Sequence, residues 1–356
     1  MRDQPARYND GHLSKEDVPL HWRWVAILLL TAIAGCGGPR SGELVVYCAV
    51  DREFSQPVLD AFSKKTGIIV QAKFDTESTK SVALAEQILR ERQRPRCDVF
   101  WNNEILHTIR LERAGLFRAT YPSEMDHYPV ETRSRENLWH GVGARARVLL
   151  VNTNRVTAEE TPRQLDDLAD DRWKGEIGLA KPFFGTTATQ MAALAAVMEQ
   201  DQLADWLDRL RANEVRILSG NKQVAIEVGS GALAMGLTDT DDALAELTAH
   251  RPVRIVYLDA AVDQRGILLL PNTVAAMVGS ANSAEADAFV NFLVSQEGES
   301  LLNNARCGQI PLHDTLTPAW EPSPPAGGKL MVVDFARAAD LWESVQHLVR
   351  SRLVGP

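Results

Sequence analysis

Short apolar runs that are typical of strands alternate with amphipathic helical patterns along most of this sequence. Residues 44–48 and 97–101 are two such runs, and a helical pattern with one apolar face follows the first of them. The alternation continues in the second half of the chain, with runs at 177–180, 215–217 and 233–237. Alternation at this spacing predicts parallel βαβ units with helices on both faces of the sheet. The chain is therefore expected to be an α/β protein.

The same alternation predicts two doubly wound lobes. Residues 147–152 form a strand that leads into a polar, loop-like stretch, and residues 266–278 contain the strands of a return crossing. Two lobes joined by two crossing strands form a hinge, and the cleft between such lobes is a usual ligand site. We predict a first part of lobe 1 at 43–147, lobe 2 at 148–265, a return part of lobe 1 at 266–320, and a linker with a C-terminal helix at 321–356.

The N-terminal segment is predicted to be an export signal. Residues 24–35 are an apolar stretch of 12 residues. A membrane-spanning helix needs about 20 apolar residues, whereas the apolar region of a signal peptide needs fewer. The stretch ends in IAGC at residues 33–36, which is similar to a bacterial lipobox, in which the cysteine is lipidated. We predict a lipoprotein signal peptide at 1–35, lipidation of Cys36, a tether at 36–42, and an exported protein anchored at the periplasmic or outer face of a membrane. The mixed charge of residues 1–23 leaves the true start codon open.

Charge excludes two classes of partner. Lys and Arg total 38 against 47 Asp and Glu, which gives a net charge of −9. Such a chain is a poor electrostatic match for nucleic acid or for anionic lipid. Membrane contact is therefore expected through the lipid anchor only, and the protein is expected to be a monomer.

Three cysteines are present besides the predicted lipidation site Cys36, namely Cys48, Cys97 and Cys307. Buried free thiols are expected, and a Cys48–Cys97 disulfide is left open.

Helix starts rich in Gly, Ser and Thr follow two strands of the second lobe, at residues 183–187 and 218–222. Free N–H groups at helix N-termini attract anions, and the helix dipole assists them. Ser and Thr are also common caps, so each start alone is weak support. Several that converge on one cleft are stronger support. The residues expected to bind an anion are Gly185, Thr186, Thr187, Ser219 and Asn221.

Three carboxylates within four residues follow the strand at 233–237, namely Asp239, Asp241 and Asp242. They repel one another unless they are solvated, cap a helix or face a cation. Asp at a helix start also complements the dipole, which is the alternative interpretation. Carboxylate oxygens suit hard cations such as Fe(III), Mg or Ca, and equally an ammonium or guanidinium group.

Catalytic motifs are not recognisable in the sequence. A loose G-x-G-x-x-A at residues 141–146 precedes a strand instead of following one, which is the wrong context for a dinucleotide. We predict a binding protein with no enzymatic activity and no cofactor. The alternatives are an exported metal-dependent phosphohydrolase that uses the three aspartates, and an adhesive or structural lipoprotein, which would leave the cleft residues without a purpose.

Several segments in this order resemble one known family. Residues 97–101, 144–149, 171–175 and 305–312 are similar to ABC-transporter extracellular solute-binding proteins of family 1, in the ferric-iron-binding subgroup. The resemblance covers nearly the whole mature chain. It implies a type II periplasmic-binding-protein fold, an interlobe ligand cleft, and delivery of the ligand to an ABC permease and its ATPase, whose identity it does not give.

The resemblance also implies a site. Relatives of this kind hold iron with a His after the first strand, a Glu after the third, and an adjacent Tyr pair. Here those positions read Asp51, Asn103 next to Glu104, and Asp241-Asp242. The implied cation site is Asp51, Glu104, Asp239, Asp241 and Asp242, with Trp101 and Asn103 as cleft walls. The implied ligand is ferric iron or another hard metal with synergistic phosphate or carbonate. A small organic ion of the aminophosphonate, thiamine or polyamine type is the alternative.

Overall fold

The computed structural model describes residues 42–75, 82–305 and 307–354. The predicted signal peptide, Cys36 and nearly all of the predicted tether lie outside these residues. Within these three ranges, no helix is long and apolar enough to cross a membrane.

Ten strands of the described chain are hydrogen-bonded into one sheet in the order β2-β1-β3-β10-β5-β8-β6-β7. In addition, β4 pairs with β10 and β9 pairs with β5. The strands are β1 (Glu43–Cys48), β2 (Ile69–Phe74), β3 (Val99–Asn102), β4 (Phe117–Arg118), β5 (His140–Asn152), β6 (Ile177–Ala180), β7 (Arg216–Leu218), β8 (Met235–Asp239), β9 (Val253–Val256) and β10 (Leu269–Met277).

Ten α-helices of the described residues cover this sheet. They are α1 (Arg52–Thr66), α2 (Val82–Arg90), α3 (Ile105–Arg113), α4 (Gly185–Val197), α5 (Gln200–Ala212), α6 (Asn221–Gly229), α7 (Thr240–Thr248), α8 (Ser283–Leu293), α9 (Gln296–Asn304) and α10 (Phe335–Val349). Short 3-10 turns lie between β4 and β6, and a π-helical turn (Arg350–Val354) follows α10.

The sheet has two parallel parts that are joined by antiparallel crossing strands. In lobe 1, β1 pairs in parallel with β2 and β3. In lobe 2, β6 pairs in parallel with β7 and β8. The first half of β5 pairs with β10, and its second half, from Arg147 onward, pairs with β8 and β9. One strand thus passes from one lobe into the other. The lobe boundaries given from the sequence stay predictions.

Aromatic side chains fill the core of lobe 1. Phe62 of α1 packs edge-on against Phe289 of α8, with ring centroids 5.0 Å apart. Trp101 of β3 contacts the same Phe289 at 6.2 Å and has no exposed surface. Trp101 therefore belongs to the core under α8, and the prediction that it walls the cleft is wrong. A side chain of β3 that packs under α8 cannot also face a ligand on the opposite side of the strand.

The C-terminal helix α10 lies against both lobes. Its Trp342 contacts His107 of α3, with ring centroids 5.6 Å apart. Its Val345 is part of the core of lobe 2. The Gln346 amide also donates a 3.2 Å hydrogen bond to the carbonyl of Pro182, in the loop that leads into α4. One helix therefore touches lobe 1, lobe 2 and the approach to a predicted ligand-binding helix.

The three cysteines of the described chain, Cys48, Cys97 and Cys307, are buried free thiols. The expectation of free thiols is confirmed, and the Cys48–Cys97 disulfide is not formed. Burial raises the pKa of Cys48 and of Cys307 to about 12, so both stay protonated at neutral pH.

His140 opens the crossing strand β5 and is fully buried. Its Nε2 lies 2.8 Å from the Thr120 hydroxyl oxygen. Burial lowers the pKa of His140 from 6.5 to about 4, so the folded protein keeps this ring neutral at pH 5 and above.

Acidification should therefore destabilise the fold through His140. The unfolded chain takes up a proton below pH 6.5, which the folded chain resists until about pH 4, so up to about 3 kcal/mol of unfolding free energy is lost across that window. Urea denaturation of the protein and of His140→Gln at pH 7.0 and 4.5 measures this loss. We expect the native chain to lose more stability than the variant, and an equal loss in both would contradict the assignment.

Candidate functional site

Three helices of lobe 2 begin at the same edge of the sheet. α4 follows β6, α6 follows β7 and α7 follows β8, and these three strands are parallel to one another. Their carboxyl ends therefore bring the three helix starts together. Beside them is a small cavity of about 40 Å³ that is partly open to solvent. It is lined by Asn103, Arg145, Ala180, Lys181, Phe184, Gly185, Thr186, Thr187, Gly220, Asn221, Asp239 and Asp242.

Backbone N–H groups at two of these helix starts make one part of the cavity suited to an anion. Ala188 donates to the carbonyl of Phe184 at the start of α4, and Val224 donates to that of Gly220 at the start of α6. The N–H groups before them have no acceptor within their own helix, and both helix dipoles favour negative charge there. The exposed Lys181 adds a positive charge at the same cavity.

The hydroxyl and amide side chains at these starts hydrogen-bond to one another. Thr187 donates to the Asn221 amide oxygen at 3.0 Å, and the Asn221 amide nitrogen donates to the Thr186 hydroxyl at 2.8 Å. Thr186 in turn donates to Asp239 at 2.5 Å. These side chains hold the two helix starts in place. The backbone is therefore the part that presents donors to a ligand.

The structure brings together four of the five residues that the sequence predicts to bind an anion. Gly185, Thr186, Thr187 and Asn221 line the cavity. Ser219 is exposed and is not among the lining residues. Its neighbour Gly220 lines the cavity instead.

A buried ion network lies behind the cavity. The Asp239 carboxylate is 1% exposed and accepts from Arg147 Nη1 at 2.6 Å and from Arg145 Nη1 at 3.2 Å. Arg147 also donates through Nε to Gln190 at 3.0 Å. Burial raises the pKa of Asp239, but Arg147 and Arg145 lower it more strongly, so the pKa lies below its ordinary value. The Asp239 carboxylate therefore stays charged, and its oxygens are paired with groups of the same chain.

Arg145 occupies the middle of the acidic cluster. Its Nη1 is 3.2 Å from Asp241 Oδ2 as well as from Asp239, and its Nη2 donates to the carbonyl of Asn103 on lobe 1. Burial lowers the pKa of Arg145, but four neighbouring carboxylates raise it more, above its ordinary value. These are Asp241, Asp239, Asp51 and Asp242. A guanidinium therefore already supplies the positive charge that this cluster requires.

Only one of the remaining carboxylates, that of Asp242, is among the residues that line the cavity. Asp242 lies in the first turn of α7 and lines the cavity directly. One oxygen from each of Asp239, Asp241 and Asp242 lies within 4.8 Å of the others. Asp51 precedes α1 on lobe 1 and contributes to the field at Arg145. The three aspartates of the acidic run therefore lie close together, and their assignment as cation ligands stays a prediction.

Glu104 caps a helix, whereas the sequence predicts that it binds a cation. Its carboxylate caps α3 by accepting from the N–H groups of Leu106 at 2.7 Å and His107 at 2.8 Å. It also accepts from the Thr189 hydroxyl of lobe 2 at 3.1 Å and is 1% exposed. Glu104 is thus enclosed by hydrogen bonds within the chain, so its assignment as a cation ligand needs correction, whereas that of Asp239 stays a prediction. The neighbouring Asn103 does line the cavity, as predicted.

Gly308 allows lobe 1 to contact the start of α7. The residue has φ +65°, and a Cβ there would lie 2.6 Å from the Asp241 backbone nitrogen. The Gly308 carbonyl accepts from the Thr240 hydroxyl at 2.7 Å. Only glycine accommodates both this conformation and this approach. The return segment of lobe 1 therefore helps to position Asp241.

Comparison with known proteins identifies the family. The family model of bacterial extracellular solute-binding proteins matches residues 108–340. The chain belongs to this family. It is 27% identical over 294 residues to the major ferric iron-binding protein of Neisseria meningitidis serogroup A, covering 80% of this chain and 85% of the relative. It is 23% identical over 310 residues to a putative 2-aminoethylphosphonate-binding periplasmic protein of Salmonella typhimurium, covering 83% and 87%.

Solved structures agree on the fold. Iron-bound HitA from Pseudomonas aeruginosa superposes with a TM-score of 0.77 at 26% identity, covering 86% of this chain and 99% of that one. AfuA from Actinobacillus pleuropneumoniae, with fructose-6-phosphate bound, superposes with a TM-score of 0.74 at 21% identity, covering 87% and 97%. The chain has the type II periplasmic-binding-protein fold, as the sequence predicts. It is an extracellular solute-binding protein and not an enzyme.

Sequence reasoning missed the roles of Arg145 and Arg147 in this solute-binding protein. A signal was present, because two arginines at alternate positions of an otherwise apolar strand share one face. Buried charges must be paired, and the nearest unexplained carboxylates were those of the acidic run. The two features together predict an ion network.

We expect Asp239→Asn to destabilise the solute-binding protein instead of only weakening ligand binding. The substitution leaves two buried guanidinium groups without their shared carboxylate, and breaking a buried pair costs about 3–5 kcal/mol. Urea denaturation measures the loss, with exposed Asp263→Asn as the matched control, for which we expect less than about 0.5 kcal/mol. A variant as stable as the native chain would show that Asp239 is free to serve as a ligand.

Proposed function

We propose that this solute-binding protein is the receptor of an ABC importer and that it captures a small zwitterionic solute of the aminophosphonate type. The observation that carries the proposal is the presence of groups of both charge signs at one cavity. Helix N-termini, Lys181 and Asp242 all line it. A phosphonate or phosphate group fits the N–H donors, and an ammonium group fits the carboxylate.

The position of Arg145 supports an organic ligand over a metal. Its guanidinium is 3.2 Å from both Asp239 and Asp241, so these carboxylates already face a cation. A trivalent ion bound at the same oxygens would be repelled by the guanidinium at close range. Thiamine-type and polyamine-type ligands are also less well matched, because they offer no anion to the helix starts. The relative named for 2-aminoethylphosphonate is consistent with the zwitterion.

Ferric iron with a synergistic anion is the second candidate. Two observations favour it, namely the relatives named for ferric iron and the closeness of the Asp239, Asp241 and Asp242 oxygens, which lie within 4.8 Å of one another. Phosphate or carbonate on the helix N-termini would complete such a site. This candidate requires Arg145 to withdraw from Asp241 when the metal binds.

The proposal also covers location and delivery. A chain exported by the predicted signal peptide and lipidated at Cys36 would be held at the membrane surface beside its transporter. Ligand in the cavity contacts residues of both lobes, Asn103 on lobe 1 and the α4 and α6 starts on lobe 2. Ligand therefore favours a closed arrangement of the lobes. The permease and its ATPase would respond to that closed form.

Charge variants of the cavity should separate the two halves of the ligand. Lys181→Ala should weaken binding of both 2-aminoethylphosphonate and inorganic phosphate by about tenfold, because it removes a charge-assisted contact to the anion. Asp242→Asn should weaken only 2-aminoethylphosphonate by a similar factor and leave phosphate binding unchanged or tighter. Isothermal titration measures both, and the exposed Lys174→Ala, whose partner is Glu214, is the matched control.

Two results would change the proposal. If Asp242→Asn weakens the binding of phosphate and of 2-aminoethylphosphonate equally, the Asp242 carboxylate does not contact an ammonium group of the ligand. If Fe(III) together with phosphate binds and 2-aminoethylphosphonate does not, the second candidate replaces the first. A true ligand at about 100 times its dissociation constant adds about 2.7 kcal/mol to stability, so thermal melting detects either outcome.

A further inference from the structure

Two histidines and two carboxylates that are distant in the sequence meet on lobe 1. His127 ends a short 3-10 helix (Met125–His127), and His313 and Asp314 lie in the segment after α9. His127 Nδ1 is 2.9 Å from Asp314 Oδ1, and His313 Nδ1 is 3.9 Å from the same oxygen. Glu124 lies beside them, and none of these residues lines the ligand cavity. We call Glu124, His127, His313 and Asp314 the lobe 1 histidine cluster.

His313 is fixed in the way that metal-binding histidines are fixed. Its side chain is 2% exposed, and its Nε2 lies 3.1 Å from Glu124 Oε2. Its backbone N–H donates to the buried Glu299 carboxylate at 2.8 Å. A carboxylate on one ring nitrogen fixes the tautomer and the orientation of a ligating histidine and raises the basicity of its other nitrogen. That other nitrogen, Nδ1, is the one nearest Asp314 and is also 2.8 Å from the Thr315 hydroxyl.

The other two residues of the cluster are accessible and close. The His127 side chain is 47% exposed and that of Asp314 is 65% exposed, which gives a cation a path to the site. The His127 ring stacks on His313 with centroids 4.7 Å apart and 18° between planes. One potential ligand atom from each of His127, His313 and Asp314 lies within 4.8 Å of the others.

We propose that the lobe 1 histidine cluster binds one divalent transition-metal ion of the Zn²⁺ class, separately from the solute site. His127, His313 and Asp314 are the ligands, water completes the coordination, and Glu124 orients His313. Two imidazole nitrogens and one carboxylate oxygen are a donor set that zinc accepts in tetrahedral geometry. Hard ions such as Mg²⁺ and Ca²⁺ prefer oxygen ligands and are not expected to bind tightly.

The ion would join two segments that already touch. The Asp314 backbone N–H donates to the His127 carbonyl at 3.0 Å, so the 3-10 helix and the segment after α9 are adjacent without metal. Metal that binds the folded chain and not the unfolded chain raises its stability by mass action. Zinc should therefore raise the melting temperature of the protein in a concentration-dependent way.

Isothermal titration of the chelator-treated, dialysed protein with Zn²⁺ alone tests this site. We expect one equivalent to bind, with at least tenfold weaker affinity in His127→Ala and in Asp314→Asn. Glu124→Gln should weaken binding by about tenfold, which is the usual effect of removing a carboxylate behind a ligating histidine. The matched control is His347→Ala, which removes an exposed histidine on α10 and should bind zinc like the native chain.

A second measurement separates this site from the solute cavity. The double variant Asp241→Asn with Asp242→Asn should keep its zinc equivalent whether or not it still binds 2-aminoethylphosphonate. No zinc binding by the native chain, or unchanged binding in both His127→Ala and Asp314→Asn, would overturn the proposal. Loss of the zinc equivalent in the aspartate double variant would also overturn it, because the ion would then lie in the cavity.

Discussion

The buried contact of Asp239 with Arg145 and Arg147 is the interaction on which the rest of the site depends. Both arginines lie on β5, the strand that passes from one lobe into the other, and Arg147 stands opposite Asp239 in the register of β5 and β8. Charges at such depth are tolerable only as a paired, hydrogen-bonded set. The network therefore fixes where β8 ends and α7 begins relative to the crossing strand.

The same network positions the groups that line the cavity. Asp239 holds the Thr186 hydroxyl and the Asn221 amide, so the starts of α4 and α6 are positioned from within the protein. Their backbone N–H groups are left for an anion. Arg145 meanwhile supplies the charge that the acidic cluster needs and reaches the Asn103 carbonyl on lobe 1. Arg145 is thus a fixed cation at the cavity, which Asp242 also lines.

Much of the fold and part of the site could be predicted from the sequence, for a physical reason. Strand and helix periodicity and helix-start residues are local properties, and Gly185 and Asn221 do begin helices at the cavity. Trp101 and Glu104 were misassigned, and the ion pairs of Asp239 were missed, because the environments of these residues depend on distant partners. Phe289 covers Trp101, Thr189 of the other lobe bonds Glu104, and the β5 arginines surround Asp239. The meeting of His127 with His313 is likewise a consequence of tertiary structure that no local spacing reveals.

We propose that the resident Arg145 guanidinium takes the place of a bound metal, so that the zwitterionic solute needs no metal to bind. The most direct test is the dissociation constant for 2-aminoethylphosphonate, measured by isothermal titration with a strong iron chelator present and again with Fe(III) supplied. We predict the same constant in both conditions, because the donors are backbone N–H groups and protein side chains. Binding that occurs only when Fe(III) is supplied would contradict the account.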